Sequence, residues 1–217
     1  MSRRLSTPSS ERAELAEQAE KWGAFVLANI LWAILSIPLI TLPAATAGLF
    51  NYMSARVRGL QPDFFRTFFE GIRLYWRKAT LIGLIDGVIG GLIVVNTLIF
   101  PFMNLSADPL AFLSRSVTIF AALALMLINL YAWSLLVLLE TLTVRQILAN
   151  AAMLVVTHPI WSFLVLIAAA LPVVISLFLP QGIFVIATAS VCSLIICMGT
   201  WRVIRQHLTP DQQESVA

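Results

Sequence analysis

A chain of 217 residues that is 59% hydrophobic and 12% charged, with a mean hydropathy of +0.90, is not a soluble globular domain, since those run at about 25% charged. Several windows exceed the roughly 18 apolar residues of a membrane span, so composition predicts an all-α polytopic transmembrane bundle. The roughly ten-residue alternating segments of an outer-membrane barrel are absent, and a net charge of +3 needs no nucleic acid to explain it.

The opening "MSRRLSTPSSERAELAEQAEKW" has no apolar core, so it does not read as a cleavable signal peptide. Residues 8–21 predict a short water-exposed helix, capped by Thr7 with Pro8 in its first position and Glu11, Glu14, Glu17 and Glu20 recurring every three. Residues 1–22 are expected as a cytoplasmic helix, 23–205 as one transmembrane domain and 206–217 as a cytoplasmic tail. The apolar run Ala24–Tyr52 contains "SIPLITLPAATAG", where Pro38 and Pro43 each remove a backbone donor and push the preceding residue out of the helical region. A single helix from Trp22 to Arg58 would be about 55 Å long, against a hydrocarbon core of about 30 Å. The run therefore predicts a tight, partly buried hairpin with short legs at about 24–37 and 43–57. A single crossing, giving five spans, is the alternative.

The segment "PDFFRTFFEGIRLYWRK" (62–78) places Phe64, Phe65, Phe68, Phe69, Ile72, Tyr75 and Trp76 on one helical face, with Arg66, Glu70, Arg73 and Arg77 on the other. Aromatics opposite basic residues predict a helix lying in the membrane interface; a loop helix packed on protein is the other reading. Further spans are expected at about 79–103, 111–139, 160–179 and 183–204, which makes six membrane segments. "NLSADP" and "PQG" read as short loops. The polar stretch after Glu140 forms an elbow ending at His158-Pro159, with Glu140 expected to pair with Arg145.

Arg56, Arg58, Arg66, Arg73, Arg77 and Lys78 make the most basic loop, which belongs on the cytoplasmic side. If Ala24–Tyr52 crosses twice, both termini are cytoplasmic and Arg115 alone of 14 basic residues lies outside. Trp22, Trp76, Trp161 and Trp201 then all fall at cytoplasmic ends of spans, as an interfacial belt would have them.

Gly83, Gly87 and Gly91 form a doubled G-x-x-x-G, a surface on which another helix, internal or from a second copy, can approach closely. Asp86 lies in the same span. A carboxylate there must face a partner or a cavity, or be protonated. It serves proton coupling or ligand contact, or else it makes a structural hydrogen bond to Asn29, Asn129 or carbonyls freed near Pro38. Asn29, Asn96 and Asn129, one per span, suit interhelical hydrogen bonds. Cys192 and Cys197 have neither redox nor zinc spacing and read as small apolar residues. His158 and His207 lack metal-ligand company. The chain contains no G-x-S-x-G, H-E-x-x-H, P-loop or dinucleotide fingerprint, so no catalytic residue, metal or cofactor is assigned.

The stretch from Asn29 to Gly59, followed by Asp63–Ala79, resembles the YesL-like bacterial membrane proteins, the domain of unknown function 624. Asn29, Trp32, Pro38, Thr41, Pro43, Ala44 and Ala47 carry the resemblance, with "TLPA" one residue shorter than the family's T-x-x-P-A spacing. "LANAAMLVVTHPIWSF" is similar to the family's elbow before its penultimate span. Relatives with extra residues before the proline turn, enough for two spans, favour the hairpin. The resemblance implies no established biochemical role, but it does imply an association with sugar importers and polysaccharide-degrading enzymes. The expected function is therefore a non-enzymatic accessory or regulatory protein of the bacterial inner membrane, linked to carbohydrate uptake. Its partners would be the lipid bilayer and a sugar importer or a second copy of itself. A small secondary transporter or permease with Asp86 in its pathway is the alternative.

Overall fold

The apolar run that holds Pro38 and Pro43 folds back on itself. In the computed structural model, which describes residues 8–102, 109–178 and 187–207, helix α1 (Pro8–Ser36) is followed by α2 (Leu42–Val57). The intervening turn is closed by the Thr41 hydroxyl, which donates to the Leu35 carbonyl and, at 2.8 Å, to that of Pro38. This satisfies carbonyls that the end of a helix leaves without partners. Trp32 Nε1 donates to Thr46 Oγ1 at 3.1 Å and ties the two legs together. The run is thus a hairpin and not one kinked helix. Its tip is more open than the expected partly buried turn: Ile37, Leu39 and Ile40 are 78%, 82% and 81% exposed. The helical leg is also longer than expected. α1 runs from Pro8 without a break at residue 22, because Gly23 alone does not stop a helix.

Helix α2 ends in a Schellman motif. Gly59 takes a positive φ of 84°, Leu60 N–H donates to the Ala55 carbonyl at 3.1 Å, and Gly59 N–H donates to that of Arg56 at 3.0 Å. Asp63 then caps the next helix, its carboxylate accepting from Arg66 N–H at 2.8 Å. That helix, α3, runs unbroken over Phe64–Ile99, 36 residues and about 54 Å. The aromatic-basic segment expected as a separate interfacial helix is therefore the first part of α3. Nothing between Lys78 and Ala79 breaks the helix, and one buried stripe continues across the junction through Phe64, Phe68, Gly71, Tyr75, Ala79 and Ile82. The aromatic face divides accordingly: Phe64, Phe68 and Tyr75 are buried, whereas Phe65, Phe69 and Trp76 are 57%, 48% and 49% exposed.

α2 lies antiparallel along the first half of α3. The rings of Tyr52 and Phe64 meet at 5.1 Å, Gly48 meets Gly71, and Pro43 packs on Gly83. Beyond Gly83, α3 extends past the hairpin tip alongside α4 (Pro109–Leu138). A capping box of Thr143 and Gln146 starts α5 (Val144–Thr157), and Pro159 opens α6 (Pro159–Phe178). The last described helix is α7 (Ala189–His207). α2 packs against α1, α3, α4 and α7, and its residues Leu49 and Met53 share the core with Phe68, Tyr131, Leu135 and Ile147. Among the described residues there are seven α-helices and no strand. Three of these helices, α3, α4 and α6, are long and apolar enough to cross a membrane, which makes this an all-helical chain of membrane-protein character. The Thr7 cap, most of "NLSADP", the "PQG" turn, the first residues of the sixth expected span and the tail from 208 lie outside the described residues.

The close approach of α2 and α3 yields a stability test. A Cβ at Gly71 would lie 2.6 Å from Asn51 Cβ and 3.2 Å from the Ala47 carbonyl oxygen, whereas one at Gly87 meets nothing within 4 Å. Gly71→Ala should destabilise the detergent-solubilised protein by about 1–3 kcal/mol, as overpacking does. Gly87→Ala should be neutral or mildly stabilising in the same thermal unfolding measurement. Equal effects at the two positions would contradict this packing.

Candidate functional site

The polar side chains singled out from the sequence fall into three separate places. The first is the seam between α3 and α4. Asn129 Nδ2 donates to Asp86 Oδ1 at 2.8 Å. Further along, Asn96 Nδ2 donates to Ser114 Oγ at 3.1 Å and to Thr118 Oγ1. Where lipid offers no competing water, such pairs fix the register of two helices. One atom in this seam is left over: Asn129 Oδ1 is buried without a hydrogen-bond partner.

The second place is the start of α7. Asn29 is fully buried, and its Oδ1 accepts from Ser190 N–H at 2.8 Å. Ser190 Oγ in turn donates to the Phe25 carbonyl at 3.2 Å. The first N–H groups of a helix have no acceptor within it, so a side chain on α1 supplies one for α7. Asn29 is therefore a cap for another helix and not a neighbour of Asp86. The other motif residues serve the hairpin: Trp32 joins its legs, Pro38 and Thr41 close its turn, and Pro43 seats it on Gly83. Ala44, half-buried, sits in the first turn of α2.

The third place is the end of the bundle where basic residues gather. Tyr75 OH donates to Glu140 Oε1 at 2.8 Å, and Lys78 Nζ donates to the Glu140 carbonyl at 2.6 Å. Glu140 thus joins α3 to the end of α4, where the sequence suggested Arg145 as its partner. On the outer face of α3, Arg66 pairs with Glu70 at 3.0 Å, with side chains 78% and 51% exposed; an ion pair so open to solvent contributes little stability. The Arg77 guanidinium lies 5.2 Å from the centre of the Trp76 ring, and Arg73 is exposed beside them. Arg115 is at the other end, over the Phe100 ring where α3 finishes.

Between α1, the end of α2 and α7, the basic end opens into a cleft of about 1090 Å³. Arg56, Arg202 and Arg205 line it together with Trp22, Trp201 and Met198. A smaller depression of about 380 Å³ adjoins it between α6 and α7, sharing Met198 and Arg202.

The expected helix-packing glycines are divided by the structure. Gly83 accepts Pro43 closely, but among the described residues nothing approaches Gly87 or Gly91. The tight glycine crossing is Gly48 against Gly71, which the sequence reading passed over. An isolated glycine among aromatics in "FFEGIRLYW" was the available signal, since glycine inside a helix usually has a packing reason. The cleft was missed as well, although two of the four belt tryptophans line it. Cys192 and Cys197 are free, and Ser134 Oγ donates to the buried Cys197 Sγ at 3.7 Å. Among the described residues no group of three or more His, Cys, Asp and Glu could hold a metal ion. The arrangement holds helices together and offers a surface for binding.

No curated protein and no solved structure matches the chain. Residues 25–97, from the first leg of the hairpin to near the end of α3, match the family model described as "Protein of unknown function, DUF624". Over the hairpin and most of α3 the chain is thus similar to that family.

Proposed function

We propose that this chain is a non-enzymatic accessory protein of the bacterial cytoplasmic membrane that works by binding. In this reading it has six membrane segments, the first two being the α1–α2 hairpin, and both termini are cytoplasmic. A link to carbohydrate uptake, through a sugar importer or a second copy of the chain, follows from the YesL-like resemblance. The surfaces offered to a partner are the outward residues Phe65, Phe69, Trp76, Arg66, Arg73 and Arg77 of α3.

One observation carries the choice of accessory over transporter. The deep carboxylate, Asp86, is held by Asn129 in a helix seam, while the large cleft lies at the basic end, and Asp86 is not among its described lining residues. A proton-coupled pathway needs its titrating group in the path. A protonated Asp86 instead supplies the hydroxyl donor that the buried Asn129 Oδ1 lacks, so that acid and amide satisfy each other without a charge in lipid.

Two measurements test this reading. Trp22 and Arg56 line the same cleft, so the start of the hairpin belongs on the side of the basic loop. A cytoplasm-dependent reporter fused at residue 10 or 215 should be active, and activity of a periplasm-dependent reporter at residue 10 would overturn the topology. Asp86→Asn, which keeps amide pairing with Asn129, should leave membrane abundance and sugar-dependent growth close to wild type. Asp86→Leu strands Asn129 and should cost about 1–3 kcal/mol of stability, recovered in good part by adding Asn129→Leu. Normal abundance with lost growth in Asp86→Asn would favour the transporter.

A further inference from the structure

The hairpin ends part-way along the bundle. Pro43, in the first turn of α2, packs on Gly83 of α3, and residues 84–99 of α3 run on past that contact for about 24 Å. Allowing one helical turn, about 5 Å, for the bend itself, roughly 19 Å of α3 lies beyond the tip. α4 accompanies this stretch, joined to it at Asp86–Asn129 and Asn96–Ser114. Its surface is apolar: Leu84, Val88, Leu92 and Val95 of α3 are exposed, as are Val117 and Phe120 of α4. An apolar surface of that extent on a helix long enough to cross a membrane belongs in hydrocarbon. If the hairpin crossed the bilayer, its tip would stand at the far surface and these residues would project into water beyond it. The chemistry of the tip agrees. Ile37, Leu39 and Ile40 are exposed together, which suits lipid better than water. Backbone in lipid must have its polar groups satisfied internally, and Pro38 and Pro43 have no N–H to satisfy. Ile37 N–H donates to the Ile34 carbonyl at 3.3 Å and Thr41 N–H to that of Pro38 at 2.9 Å, while the Thr41 hydroxyl closes on the Leu35 and Pro38 carbonyls.

We propose that the α1–α2 hairpin is re-entrant: it enters the bilayer at the basic end, and its tip ends in the half of the bilayer on that side. There Ile37, Leu39 and Ile40 pack against lipid acyl chains. The roughly 19 Å of α3 beyond the tip is more than half of a hydrocarbon core of about 30 Å, which sets this depth. The inference rests on the membrane reading given above and narrows it, since the two hairpin segments dip into the bilayer without crossing it. Entry and return at one face leave the N-terminus where a double crossing would leave it, so a reporter at residue 10 does not separate the two arrangements.

The test uses the full-length protein in phosphatidylcholine vesicles, carrying one nitroxide spin label at a time. Each label is read by its collisions with dissolved oxygen, which concentrates in hydrocarbon, and with a nickel chelate, which stays in water. Leu39→Cys and Ile40→Cys sample the tip, and either serves if the other does not fold. Leu92→Cys samples the outward face of α3, and Arg66→Cys the exposed basic end. Wild type is the blank, since Cys197 is buried and Cys192 half-buried. The tip labels should collide often with oxygen and rarely with nickel, as at Leu92→Cys, and Arg66→Cys should show the reverse. Nickel access at the tip with Leu92→Cys shielded would overturn the re-entrant placement and leave the membrane reading standing. Nickel access at both would overturn the two together. Rare collisions with both reagents at the tip would show that protein covers it, which would overturn the contact with lipid.

Discussion

The contact between Gly48 and Gly71 brings the backbones of α2 and α3 so close that neither position has room for a methyl group, and the other helices take their places from it. In lipid, association between helices cannot draw on the hydrophobic effect and depends on packing and hydrogen bonds. A crossing without side chains lets long stretches of two helices interlock on either side, with Tyr52 against Phe64 toward one end and Pro43 against Gly83 toward the other. The short Schellman turn and the Asp63 cap make this antiparallel approach compatible with the chain. With one side of α2 occupied by α3, its remaining surface receives α1, α4 and α7. A helix of 16 residues is too short to span about 30 Å of hydrocarbon alone, and burial among its neighbours is what accommodates it.

Packing of small residues leaves helices free to slide, and the polar side chains remove that freedom. Asp86–Asn129 and Asn96–Ser114 align α3 with α4 at two heights, and Tyr75–Glu140 closes the same pair at the basic end. Asn29 does for α7 what Thr41 does for the hairpin turn: each satisfies backbone groups that a helix end leaves open. Most of the buried polar groups discussed from the sequence are thereby committed to architecture.

The elements were legible in the sequence where a single residue type decides the outcome. Pro38 and Pro43 implied a reversal, Pro159 the start of α6, and apolar length the helices α3, α4 and α6. Boundaries failed where one helix passes between environments. Charge and aromatic content change sharply at Lys78, and near Trp22, but no backbone feature changes there, so composition suggested two elements where the structure has one. Partners were less legible than positions. The sequence places Asn29, Asp86 and Asn129 in different spans but does not say which pairs meet, because that follows from how the helices cross. The cleft is assembled from residues of three helices far apart in the chain, and no local pattern announces it.

The glycine pattern shows why a motif alone misleads. G-x-x-x-G describes a smooth helix surface, but a close crossing needs small residues on both partners. Gly71 finds them in Ala47 and Gly48 of α2, whereas Gly87 and Gly91 find no close neighbour among the described residues. In water, such open glycines would cost a helix about 1 kcal/mol each relative to alanine. Within hydrocarbon the penalty is largely removed, since an unfolded backbone would leave its polar groups unsatisfied and the helix is enforced whatever its composition. Glycine can therefore recur along the outward-facing, apolar half of such a helix without a partner to explain it. Only where a facing helix is itself small, as at Gly71, does the residue become structurally decisive.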